Sequence, residues 1–281
     1  MISKKKMKRE IYWEKALETT KISIEKGHLF PLNTIDVTKN YYDKKDFLIR
    51  RLDTTTFKKD LKIGPKLNPF NPWDKILEIS KIGHSHHLIL NKYPVQIGHI
   101  LLITNTWMPQ NGWLDINDWD AIKKVNSDTS GLWFFNSGPI AGASQPHRHI
   151  QLLRRDDNEL ICPREDWFLN FEKFKVNPKL SNSIIVKSFD FTNDVNDIYK
   201  LYLELSRNNG LGNPLIDKKP KKPYNLLISN KWIAIIKRAN DKLLGFSING
   251  LGFAGYLLVT ERSDTKYLKT NGPEKLLENF V

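Results

Sequence analysis

The stretch LWFFNSGPIAGASQPHRHIQLL, residues 132–153, decides how this chain folds. Its opening LWFFN reads as a strand, and the following residues, rich in Gly, Ser and Pro, read as a turn. In HRHIQLL, polar residues alternate with Arg148 and Ile150 on the way into Leu152 and Leu153. A period of two marks a second strand and sends His147, His149 and Gln151 to one face.

A turn of small residues ahead of that polar face lets backbone N–H groups come close to a phosphate, as in other anion-holding nests. Imidazole beside bound phosphate points to nucleophilic attack at phosphorus. Two other readings of HxH stay open at this level: histidines on a strand edge, and a zinc site. The chain has one cysteine, Cys162, and no HExxH, so further metal ligands would have to be scattered. The glycine- and serine-bearing turn favours phosphate.

The 281 residues suffice for a substantial core, and 40% hydrophobic with 11% aromatic content is ordinary for a globular enzyme. No run of 18 apolar residues is present, and MISKKKMKRE leads into the amphipathic IYWEKALETT without the apolar core of a secretory signal. With a single cysteine there is no internal disulfide framework, so the expectation is a cytoplasmic protein with no membrane partner. A net charge of +13 draws anionic partners. Its lysines are dispersed as Lys4 to Lys8, Lys58 to Lys62 and Lys218 to Lys222. No finger or RNP-like motif accompanies the eight tryptophans, which disfavours a nucleic-acid-binding module.

Along the chain, Met7 to Gly27 is expected to be a helix stopped by Gly27, with Ile11, Ala16 and Ile22 buried. DFLIRRL (46–52) is a strand, followed by a lysine-rich, proline-broken lid in which Lys58 and Lys59 could reach a polyphosphate. HSHHLILNKYPVQIGHILLIT forms a hairpin about Asn91 to Pro94, with His84, His86 and His87 as strand-edge histidines. Asp115 caps a helix through Val125. DDNELICPREDW is an irregular excursion, and SIIVKSFDF is a strand. Asn193 caps a helix through Leu205, YNLLISNKWIAIIKR is a second hairpin, FSINGLGFAGYLLVT is one further strand, and PEKLLENF is a closing helix. These elements give an α+β fold: an antiparallel sheet built of hairpins, with helices packed on one side.

GASQPHRHIQ resembles the active-site signature of the histidine triad superfamily, in the transferase branches whose last position is Gln. The ATP adenylyltransferases, or diadenosine tetraphosphate phosphorylases, are the nearest likeness. Four pieces match in order: FLIRRL with the lysines and NPFNP; ILNKYPV to LLIT; FNSGPIAGASQPHRHIQ; and YNLLISNKW with SINGLGFAG. The resemblance implies a histidine-triad-like antiparallel sheet with N- and C-terminal elaborations. The expected organisation is a single domain over 1–281: a helix and wrapping loop to about 75, a catalytic core over about 76–160, and a sheet extension over about 180–281.

The same resemblance makes His149 the nucleophile, with His147 buttressing the site and Gln151 bonding the reacting phosphate. Gly142, Ala143 and Ser144 would cradle phosphates, Asn91 and Lys92 would meet the nucleoside, and Asn136 would bind phosphate or ribose. Lys58, Ser229 and Arg238 would add phosphate contacts. The implied partners are dinucleoside polyphosphates, ATP, ADP and inorganic phosphate. No obligatory cofactor is implied, and a divalent ion such as Mg²⁺ would ride in on the substrate. A Gln at position 151 cannot titrate and offers water no general base, so transfer to phosphate is favoured over hydrolysis. The competing enzyme reading is a hexose-1-phosphate uridylyltransferase-like member.

Overall fold

In the computed structural model, residues 9–53, 68, 70–155, 161–173 and 178–281 are described. Helix α1 (Ile11–Glu25) is followed by β1 (Thr34–Asp36), α2 (Thr38–Tyr41) and β2 (Leu48–Leu52), then by β3 (Glu78–Ile82), β4 (His86–Leu90) and β5 (His99–Thr104). Helix α3 (Ile116–Asp128) leads to β6 (Leu132–Asn136), β7 (His149–Leu153), α4 (Glu165–Leu169), α5 (Pro178–Ser181), β8 (Ile184–Ser188) and α6 (Val195–Asn208). The remainder is β9 (Tyr224–Ile228), β10 (Trp232–Lys237), β11 (Lys242–Leu243), β12 (Phe246–Ser247), α7 (Gly250–Phe253), β13 (Tyr256–Val259) and α8 (Thr265–Leu277).

Eight strands form one sheet in the order β3-β4-β5-β7-β6-β9-β10-β8. Every neighbour in it is antiparallel. The α+β reading and both hairpins therefore stand, but the sheet is covered on both faces rather than one. Alternation along β7, β6 and β9 divides their side chains between two cores. Ile150, Leu152, Trp133 and Leu226 join Ala16 of α1, Trp119 of α3 and Tyr202 of α6. Leu153, Phe134 and Leu227 join Trp167 of α4, Phe253 of α7 and Leu268 of α8 on the other side. On this second face lies a small sheet, β1-β2-β13, in which β13 runs parallel to β2.

Several local expectations change. Helix α1 buries Ala16, Thr20 and Ser23, while Ile11 and Ile22 stay exposed. Small side chains let it approach closely, and the Ser23 hydroxyl donates to the Ile76 carbonyl at 3.0 Å. Helix α3 starts with the expected Asp115 cap, made reciprocal by Asp118. The cap of α6 is Asp194, one residue later than Asn193. The excursion after β7 contains the short helix α4. FSINGLGFAGYLLVT is interrupted because Asn249 caps α7 and Gly255, at φ +105°, turns the chain back into β13. The closing helix is longer than expected, running from Thr265 with a kink at Gly272. No described helix is long and apolar enough to cross a membrane.

Candidate active site

The β6–β7 ladder ends at Phe134↔Gln151, leaving the Asn136 and His149 backbones without each other. Gln110, almost fully buried, fills the gap. Its Oε1 accepts the His149 N–H at 2.8 Å, and its Nε2 donates to the His149 and Asn136 carbonyls at 3.1 and 2.8 Å. The beginning of β7 is thereby held at a fixed distance from β6. On the opposite face of β7, Arg148 pairs with Asp118 at 2.8 Å, and Asp118 also meets the His86 ring at 3.0 Å. These contacts explain why His86 is buried rather than a strand-edge residue; His87 is also largely buried, while His84 remains exposed.

His149 is 3% exposed. Its Nδ1 lies 2.8 Å from the His147 carbonyl, which can only accept, so the ring proton sits on Nδ1. Nε2 then carries the lone pair, with no partner among the described residues. Burial pushes this imidazole down to about 4, so it is neutral through the physiological range. His147 precedes the regular strand and is joined to Pro109 by an isolated bridge. Its Nε2–H is directed at the Thr104 carbonyl at 2.9 Å, and its Nδ1 faces the Asn68 amide at 2.6 Å. With both nitrogens engaged, His147 has no lone pair to give a metal. Among the described residues, no group of three His, Cys, Asp or Glu side chains could hold one.

Gln151 lies on the same face, and its Oε1 is 3.0 Å from Nε2 of His99. The other nitrogen of His99 is 3.1 Å from Nδ2 of Asn91. Asn91 thus faces the floor of the site through His99. Lys92 is exposed on the turn, near the rings of Phe30 and Tyr93. Phe70 stands edge-on to both His147 and His149, and packs on the apolar shelf Ile89, Leu101 and Ile103. A cavity of about 540 Å³ opens beside His99 and Leu153, walled by Arg50, Ile97 and Asn249.

The small-residue turn bends through Gly138 (φ +89°) and Gly142 (φ +88°). Gly142 is required for a second reason: a Cβ there would lie 2.6 Å from that of Asn249. Much of the turn's donor capacity is already used. Gly142 N–H donates to Pro139 and Ala143 N–H to Gly138. Of the three residues expected to cradle phosphate, only Ser144, exposed at the lip, keeps an uncommitted N–H among the described residues.

Arg238 lies behind this turn, not in it. It is 3% exposed and donates to Ala141 O, Asn225 Oδ1, Asn240 O, Ile248 O and Phe280 O. All its donor nitrogens are spent on the fold, which corrects its expected role as a direct phosphate contact. Burial lowers it to about 10, so it remains a cation at neutral pH. Asn225 donates to Asn136 Oδ1 at 2.7 Å, and that oxygen also accepts the Gly250 N–H at 2.9 Å. The carbonyl end of Asn136 therefore ties the turn to α7, leaving only its Nδ2 uncommitted among the described residues. Ser229 is not gathered here. It closes the β9–β10 turn by accepting from Lys231 and Trp232, at the opposite end of β9 from Asn225. Lys58 and Lys59 lie outside the described residues.

Gln110 lies outside every matching piece of the sequence, whereas Asn68, His99, Thr104 and Asn225 fall inside the pieces that carry the resemblance, which gave them no task.

The site sets buried histidines, one with an uncommitted ring nitrogen, on an antiparallel sheet, and comparison with known proteins narrows the class. The family model described as the Ap4A phosphorylase N-terminal domain matches residues 2–163, and the ATP adenylyltransferase C-terminal domain model matches residues 169–281. The chain belongs to the Ap4A phosphorylase (ATP adenylyltransferase) family. Among its relatives in Saccharomyces cerevisiae, diadenosine 5',5'''-P1,P4-tetraphosphate phosphorylase 2 is 27% identical, with 76% of this chain and 78% of that protein covered. Protein APA1 is 26% identical, with 75% and 73% covered. The fold is similar to that of yeast Ap4A phosphorylase Apa2 solved in complex with Ap4A: TM-score 0.73, 20% identity, covering 97% of this chain and 96% of that one. The structure of Apa2 in complex with AMP gives a TM-score of 0.72.

Proposed function

We propose that this chain is a nucleotidyltransferase that catalyses the reversible phosphorolysis of diadenosine tetraphosphate to ATP and ADP, with His149 as nucleophile. One observation carries the reading: a neutral imidazole holds its proton on Nδ1 against a carbonyl and keeps its Nε2 lone pair uncommitted. Attack of Nε2 on the α-phosphorus forms a P–N bond and expels ATP. An oxygen of inorganic phosphate then attacks the same phosphorus, breaks the P–N bond and releases ADP. The His147 carbonyl stabilises the positive charge that develops on the ring during the first step.

Gln151 supports phosphate over water as acceptor, because an amide can hold an oxygen but cannot take a proton from water. The net charge of +13 offsets part of the polyphosphate's charge, and Lys58 is assigned to the same task by the family resemblance. A divalent ion such as Mg²⁺ enters with the polyphosphate as part of the substrate. Family models matching both halves of the chain favour this reading over a uridylyltransferase-like or nucleic-acid-binding one. We treat residues 1–281 as one catalytic unit, because β6 of the first half pairs with β9 of the second. The buried, free Cys162 fits a reducing compartment such as the cytoplasm.

Product identification tests the reaction. Incubated with diadenosine tetraphosphate and inorganic phosphate, the protein is expected to release ATP and ADP in equal amounts, with little turnover when phosphate is withheld. Efficient formation of ATP and AMP in phosphate-free buffer would make it a hydrolase instead.

A further inference from the structure

We infer that Asn91 and His99 are positioning residues that fix which end of the Gln151 amide faces the substrate, so that Gln151 meets phosphate oxygens as an N–H donor. The inference deepens the proposed reaction and rests on that reading for the identity of the substrate. Its starting point is a group of fixed polarity. The Tyr93 backbone N–H can only donate, and it donates to Oδ1 of Asn91 at 3.1 Å. Nδ2 of Asn91 is then the atom turned toward His99, at 3.1 Å from Nδ1. An amide N–H requires a lone pair to receive it, so Nδ1 of His99 is bare and its single proton is on Nε2. That proton is donated to Oε1 of Gln151 at 3.0 Å. The NH₂ of Gln151 is left pointing away from His99, with no partner among the described residues.

Each link excludes its own reversal. A proton on Nδ1 of His99 would face the Asn91 NH₂, donor against donor, and a flipped Gln151 would set its NH₂ against the Nε2–H. Burial helps by holding His99 neutral, down to about 4. Its ring also packs against Phe134, tilted by 34° at 5.7 Å between centroids. The consequence is chemical. The non-bridging oxygens on the α-phosphorus of a dinucleoside polyphosphate carry no proton and only accept hydrogen bonds, so an amide presenting its carbonyl would repel them, whereas one presenting NH₂ binds them. A turn at Asn91 to Tyr93 thereby sets the polarity of a side chain two strands away. Asn91, expected from the sequence to meet the nucleoside, has this separate task.

The ring tautomer of His99 can be read directly, without substrate, by ¹⁵N NMR of the uniformly labelled protein. The Nε2–H form is expected, and an Nδ1–H form would overturn the inference. In Asn91→Asp, the new carboxylate accepts from Tyr93 and from His99, drawing the ring proton to Nδ1 and leaving a lone pair toward Gln151. At neutral pH the tautomer should switch and kcat should fall roughly tenfold or more, about 1.4 kcal/mol or more in barrier. As the pH falls, His99 beside the introduced carboxylate gains its second proton, both nitrogens donate, and the rate should partly recover; the wild type should show no such recovery. The titratable or charged groups facing His99 are His149 from β7, Arg50 from β2 and Arg155 beyond β7. His149 is held neutral by burial over this range, so the recovery belongs to His99. An Asn91→Asp protein with wild-type tautomer and pH profile would sink the inference. Should that variant not fold, the wild-type spectrum decides alone. An Nε2–H signal in a protein devoid of phosphorolysis would count against the proposed reaction and leave the hydrogen-bond polarity standing.

Discussion

Two polar clusters border the same sheet, one at the start of β7 and the other beside β9 and the end of β10, and they differ in what they leave undone. Around Arg238, all donor nitrogens of the guanidinium and both ends of the Asn225 amide are committed to neighbouring carbonyls and amides. Around His149 the fold commits one atom of each group and spares another: Nδ1 but not Nε2 of His149, Oε1 but not Nε2 of Gln151. Both clusters are buried, and both contain residues that sequence reasoning assigns to phosphate. The difference teaches that burial and charge mark a candidate, while the unspent atom marks chemistry.

Substitutions can break or sharpen this contrast. The largest effect is expected from His149→Ala, which should fold normally yet lose phosphorolysis by on the order of 10³-fold or more. Retention of most turnover would remove His149 from the nucleophile's role. Arg238→Met should act through the fold. Five acceptors lose a charged donor, and denaturant unfolding should show a loss of roughly 3 kcal/mol or more. A variant as stable as wild type but defective in phosphate use would restore Arg238 as a direct ligand.

Acid should weaken the catalytic cluster next. His149 is held near 4 by burial, against about 6.5 for a free imidazole. Below pH 6.5 the unfolded chain therefore takes up a proton that the folded one refuses. Stability from this ring is complete above about 6.5 and declines as pH falls toward 4, by at most about 1.4 kcal/mol per pH unit. His99 and His147 are shifted in the same direction by burial. Melting temperatures measured from pH 7 to 4.5 should fall, and a flat profile would contradict neutral burial of these rings. The smallest effect is expected from Ser229→Ala, which removes a turn cap worth about 1 kcal/mol and should leave turnover unchanged. A specific loss of phosphate affinity there would bring Ser229 back to the site.

Period-two alternation and turn chemistry are local, and they made β7, both hairpins and the α3 cap legible from the sequence. The tautomer of His149 was not legible, because it depends on the His147 carbonyl being turned inward where β6 and β7 part. Gln110 escaped notice for the same reason: its task exists only in the gap between two backbones. The burial of Arg238 could not be read from its neighbours in the chain, since Phe280, Ile248 and Ala141 reach it from three segments far apart in sequence. FSINGLGFAGYLLVT misled because its apolar content suits a strand, while Asn249 and Gly255 break it with capping and a positive φ.

The ladder between β6 and β9 lies across the boundary between the two family models, joining Trp133 to Ile228 and Asn136 to Asn225. A gene cut between codons 163 and 169 would strip each fragment of its neighbour, baring LWFFN on one and YNLLI on the other. Such flat, apolar edges invite pairing with any exposed strand. The halves of this molecule are recognisable apart by sequence, but each serves as the other's cover against aggregation.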